Sequence, residues 1–198
     1  MTIVGCQTNG KKENLLVQKE FGKWRKDSDS LSVELNLKEF KSWNALRERT
    51  EEISCNDSVP KITLKTEKEL KTIYFQNPCW ENFACILIKQ KNVIEIHNDT
   101  VNKNFRNFYP IDSLKNILRR DVANNGKNPE LCEKPEKLLI YISYDNMQTE
   151  KLLKTLNIVT QEYEKITSKR DIKIWLNEKI QVEYSEIPPM PVELKKLN

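Results

Sequence analysis

With 198 residues, 38% of them hydrophobic and four tryptophans among them, the chain suffices for one compact domain with an appended N-terminal region and is too short for two full enzyme domains. Its 33 Lys and Arg against 29 Asp and Glu give a net charge of +4, which lacks the concentrated basic character of a dedicated nucleic-acid binder. The longest stretch free of charged residues, Met1 to Gly10, falls well below the ~18 apolar residues that a spanning helix requires. In chain order, residues 1–14 run from apolar to polar across Cys6 and open into a charged tether. Residues 15–80 read as a less regular α/β region. Leu16, Val17, Phe21 and Trp24 permit a short helix; Leu31, Val33, Leu35 and Leu37 alternate as in a half-buried strand. Asn36 and Glu39 have the spacing of a capping box ahead of Phe40, Trp43 and Leu46, and Cys55 to Pro60 reads as a loop. Ile62 and Leu64 predict a strand, and Thr66 with Glu69 predicts a helix through Leu70, Ile73 and Tyr74.

The patterning sharpens over residues 81–182. Phe83 to Ile88 and Val93 to His97 read as two strands of a hairpin turning at Lys89 to Asn92. A helix then carries Leu114, Ile117, Leu118 and Val122, begins at Asp112 or Ser113 and stops at Asn124-Asn125-Gly126. Leu138 to Ile142 has the apolar continuity of a central strand. Leu152, Leu156, Val159, Tyr163 and Ile166 form the strongest amphipathic helix, Thr149 to Ile166. Ile172, Ile174 and Leu176 supply a last strand, and the Pro-rich tail over 183–198 must be extended around Ile187 to Pro191. The expected fold is therefore α+β in two layers, helices on one face of a mixed sheet, with the order β-β-α-β-α-β in the second half.

The segment Ile3-Val4-Gly5-Cys6 resembles the cleavage end of a bacterial lipoprotein signal. Small residues there let the backbone enter the signal peptidase, and the thiol is the side chain suited to thioether linkage with diacylglycerol. The resemblance implies lipidation of Cys6 and a membrane-anchored location facing the periplasm, provided that the true start lies upstream of Met1; otherwise a cytoplasmic location is expected. Setting Cys6 aside leaves Cys55, Cys79, Cys85 and Cys132, an even number compatible with disulfides in an exported protein and equally with buried thiols in a reducing compartment. No Cys-x-x-Cys spacing occurs, and the single His97 gives zinc no good partner set, so no metal and no cofactor is expected.

Across about residues 83 to 180 the element order is similar to the periplasmic domain of the ExbD/TolR biopolymer-transport family. The matching segments are Asn92 to Ile96, Ile111 to Leu118, Glu136 to Ile142 and Thr149 to Tyr163. The resemblance implies an envelope domain that dimerises or touches an envelope protein partner. The family's intramembrane Asp has no counterpart here, so proton-driven motor function is not implied.

No motif spells out a reaction. His97 lies on the face of Val93 and Glu95 and reads as an edge-strand histidine, with no Gly-x-Ser-x-Gly element to serve. Asp145 follows the inner strand at its carboxyl end, where ligand-binding residues gather in open α/β sheets, and reads equally as a helix cap. Lys103 to Tyr109 interleaves basic and aromatic residues, as single-stranded nucleic acid would require, but also fits a loop or edge strand with Phe105, Phe108 and Tyr109 turned inward. The four scattered glycines form no phosphate-binding loop. The expectation is a non-enzymatic, envelope-associated binding module without a nucleic-acid partner. The alternatives are a soluble hydrolase or other enzyme with a site near Asp145, and an intracellular interaction protein.

Overall fold

The computed structural model describes residues 16–24, 28–82, 88–104 and 107–179. The first part comprises β1 (Val17–Phe21), a single turn α1 (Ser28–Leu31), β2 (Ser32–Glu34), α2 (Trp43–Cys55), β3 (Val59–Lys65) and β4 (Glu69–Tyr74). Its strands form a four-stranded mixed sheet in the order β1-β4-β3-β2. The second part comprises β5 (Val93–His97), β6 (Thr100–Lys103), β7 (Asn107–Pro110), α3 (Leu114–Asn124), β8 (Leu139–Ser143), α4 (Thr149–Thr167) and β9 (Lys173–Leu176). These strands form a five-stranded mixed sheet ordered β7-β6-β5-β8-β9, with β5, β8 and β9 parallel and β6 and β7 antiparallel to their neighbours. The fold is α+β.

Alternation decides which face of the larger sheet is apolar. Ile94, Ile96, Ile140, Ile142, Ile174 and Leu176 point into the main core, where they meet Leu114 and Leu118 of α3 and Leu152, Leu156 and Val159 of α4. The opposite face holds a second cluster of Val93, Leu139 and Tyr141, with Ile88 and Trp175 packed against it. Phe21, Ile62 and Ile73 of the smaller sheet belong to the main core too, so one apolar interior serves both sheets.

The sheets meet along β9. Gly22 N–H donates to Arg170 O at 2.7 Å, and Gln76 N–H to Ile174 O at 3.1 Å. The Asn77 side chain donates to Leu176 O and accepts from Leu176 N–H, imitating a strand and closing an edge that would otherwise invite further pairing. Gly22 sits at φ +75°, and a Cβ there would lie 2.5 Å from Tyr74 O, so only glycine allows this close approach.

Several expectations are corrected. Residues 17–21 are a strand, because Val17 to Phe21 pairs in parallel with Glu69 to Ile73 and delivers Phe21 to the core. The alternation of residues 31–37 is broken: Leu31 ends α1, Ser32 to Glu34 is a strand, and Leu37 opens a 3₁₀ turn capped by Asn36. The helix expected there starts later, with Ser42 Oγ accepting from Ala45 N–H. Cys55 closes the last turn of α2 and β3 begins at Val59, so the loop between them is shorter than expected. Glu69 to Tyr74 is a strand as well. Thr66 Oγ1 accepts from Glu69 N–H as in a capping box, but Thr66 N–H also donates to Glu69 O, which closes a hairpin. The partner of Val93 to His97 is Thr100 to Lys103, joined through Asn98 and Asp99, both at positive φ (47° and 64°) as a type I′ turn demands. The described unit from Val93 thus runs β-β-β-α-β-α-β. Residues 83–87 of the expected first hairpin strand and the Pro-rich tail lie outside the described residues.

Candidate functional site at the carboxyl ends of β5 and β8

Parallel pairing sets His97 opposite Ser143 at the ends of neighbouring strands. Ser143 Oγ lies 2.9 Å from His97 Nδ1, and Asp145 Oδ1 lies 3.3 Å from Nε2. Asn98, first residue of the turn, binds both groups: its amide nitrogen is 3.1 Å from His97 Nε2 and donates to Asp145 Oδ2, while its carbonyl accepts from Asp145 N–H at 3.2 Å. Asp99 faces the helix layer. Its Oδ1 accepts from Thr155 Oγ1 of α4 at 3.1 Å and from the Tyr144 hydroxyl at 3.2 Å. Burial, first, pushes the Tyr144 phenol well above its ordinary range, so it stays a neutral donor. Its ring packs edge-on against Trp43 at 5.4 Å, which ties α2 into the same corner.

A serine, an imidazole and a carboxylate within reach of one another are the components of an acyl-transfer relay. The position of the hydroxyl decides against that chemistry. Ser143 is 1% exposed and sits within the β8 ladder, so no carbonyl carbon can approach Oγ along an attack path. The accessible member is Asp145, whose side chain is 64% exposed against 14% for His97. Held from both ring nitrogens, the imidazole acts as a strut between two strand ends and the loop leading to α4.

The other residues singled out in the sequence lie apart. Cys55 and Cys79 form a disulfide, which borders a cleft of about 370 Å³ lined by Trp24, Pro60, Phe75, Asn77 and Pro78. The Glu81 carboxylate lies within 4.8 Å of both sulfurs, yet oxidised sulfur offers no thiolate, so this trio cannot hold a metal in the disulfide state. Cys132 is a buried free thiol; desolvation raises its pKa, and its Sγ donates to Lys134 O. Cys6 and Cys85 lie outside the described residues. Within the basic-aromatic segment, Lys103 is fully buried, 2.6 Å from Asp121 Oδ1, and donates to the carbonyls of Lys91 and Val93. Its ammonium is therefore committed inside the protein. Phe108 is 66% exposed rather than inward-facing, Tyr109 packs against the core, and Phe105 is outside the described residues.

Sequence reasoning missed Ser143, Asn98 and the Lys103–Asp121 pair. An Asn-Asp dipeptide between Ile96-His97 and Thr100-Val101 is a hairpin signal, and it would have placed His97 at the strand end. Ser143 carried none, being a serine after an apolar run. No family model, curated protein or solved structure matches this chain.

Proposed function

We propose that this chain is a non-enzymatic interaction module of the bacterial envelope, carried on a lipid attached to Cys6. The observation that carries the reading is the Cys55–Cys79 disulfide, a bond that persists in oxidising, exported compartments and is rare in a reducing cytosol. Burial of Ser143 favours binding over hydrolysis, because this serine beside His97 and Asp145 is closed to substrate. The lipobox-like Ile3-Val4-Gly5-Cys6 supplies the anchor, and the resemblance to the ExbD/TolR periplasmic domain supports an envelope partner or a second copy as ligand. Two or three acyl chains would hold the protein at a membrane, since each buried CH₂ contributes about 0.8 kcal/mol and one chain alone is marginal.

The test is metabolic labelling with a fatty-acid probe, in cells expressing the gene with its upstream in-frame codons. The expected result is labelled protein in the membrane fraction, with label and fractionation both lost in Cys6→Ser. Identical labelling and fractionation of the two proteins would refute the anchor.

A further inference from the structure

The face of the larger sheet turned away from the helices ends in a feature that the anchoring proposal does not use. Trp175 projects from β9 on this face, stacked on Tyr141 at 5.5 Å and met edge-on by Trp80 at 6.0 Å; Trp80 is 41% exposed. Two residues towards the start of the same strand, Lys173 extends to donate to Glu136 O. Parallel register puts Val93, Leu139 and Lys173 level with one another, so Lys91 and Lys137 stand just beyond the same end of β5 and β8. There Glu133 binds three ammonium groups: Lys89 at 2.8 Å, Lys137 at 2.6 Å and Lys91 at 3.2 Å. Lys89, Lys91 and Lys137 thus share the single Glu133 carboxylate and Lys173 is held by a backbone carbonyl, so positive charge exceeds the carboxylate bound to it at this end of the face. With three ammonium groups to one carboxylate, a further anion can be bound here without displacing Glu133.

We infer that this tryptophan-lysine face docks onto an anionic bilayer surface. Indole rings settle at the boundary between headgroups and acyl chains, lysine stems lie along apolar surface with their ammonium groups in the headgroup layer, and each lysine near an anionic leaflet adds attraction. The anchor is compatible with this docking. Eleven positions separate Cys6 from Val17 (17 minus 6), which at full extension span about 37 Å. The tether joins the protein at Val17, at the start of β1, and the path from there through the hydrogen bond of Gly22 to Arg170 and on to Lys173 spans at most roughly 33 Å, so lipid and face can engage one membrane. The inference extends the anchoring proposal but stands on its own geometry.

The experiment uses unlipidated, full-length Cys6→Ser protein and sedimentation with vesicles of phosphatidylcholine alone or mixed with phosphatidylglycerol. Partitioning should favour the anionic vesicles by at least about tenfold at low salt and fall at high salt. Lys89→Glu with Lys137→Glu should lower it by about tenfold or more, and Trp80→Ala should lower it measurably, with circular dichroism confirming that each variant is folded. Lys151→Glu with Lys154→Glu, the same charge change on the exposed side of α4, should leave most binding intact. Equal binding to both vesicle types, or equal losses from the two charge reversals, would overturn the docking face. Vesicle binding is read without any acyl chain, so its failure leaves the Cys6 result standing and a negative Cys6 result leaves the face standing.

Discussion

Lys103 shows how a single side chain can dominate a sheet. Its ammonium and the Asp121 carboxylate are both fully buried, and Asp121 Oδ1 also accepts from Cys132 N–H at 2.9 Å, so the pair fastens β6 to α3 and to the loop that follows it. Removing one partner strands a charge in the interior. Asp121→Ala should therefore lower unfolding free energy in urea by about 3 to 5 kcal/mol, whereas Lys103→Met with Asp121→Leu should recover most of that loss. Glu133 behaves oppositely, as a surface group in a field of cations. Hydrogen bonds from Lys137, Lys89 and Lys91 hold its carboxyl down to about 2 from an ordinary value of 4.5. A folded-state pKa below the unfolded one means that its contribution is fully present above about pH 4.5 and is lost as pH falls towards 2. Glu133→Gln should flatten the acid limb of the stability profile within that window and leave the neutral region nearly unchanged, as read by denaturation across pH.

Among the elements, α4 offers the clearest test of packing. Leu156 is fully buried against the larger sheet, and Lys154 is exposed on the far side. Leu156→Ala should cost about 2 to 5 kcal/mol through lost transfer energy and an unfilled cavity, while Lys154→Ala should stay within roughly 0.5 kcal/mol of wild type in the same measurement. This helix, α3, β8 and β9 were legible because several apolar residues in each repeat at one period. Short and polar elements were not. In β6, Thr100-Val101-Asn102-Lys103 offers one apolar residue; its inward lysine is tolerated because Asp121 awaits it, and its buried Asn102 because Glu95 accepts from its amide at 3.0 Å. The misreading of β4 has a sharper cause. A threonine hydroxyl accepting from the third following N–H serves a helix start and a tight hairpin alike, and the pairing of β4 with β1 and β3 settles which one forms. Likewise, Asp145 could be located from its place after an apolar run, but its meeting with His97 depends on strand register, which sequence periodicity does not encode.

Across the whole molecule, covalent and non-covalent ties divide the work of closing the chain. The disulfide joins the end of α2 to Cys79 over a sequence separation of 24, enclosing the β3–β4 hairpin. Reducing it, or replacing both residues as Cys55→Ala with Cys79→Ala, should lower stability by about 2 to 4 kcal/mol in urea denaturation, and reduced wild type should match the double variant. The non-covalent closure is β9, which completes the larger sheet beside β8 and lends its other edge to Gln76 and Asn77, partners up to 99 residues earlier. Synthesis runs from the N-terminus, so both sheets wait for the same late strand. Until Leu176 has left the ribosome, the outer edge of β8 and the Gln76–Asn77 segment have no partner, and contacts of such long sequence separation form slowly. A nascent chain built this way stays unlocked through most of its own production, open to a holdase or to threading through a translocation pore before the final strand fastens it.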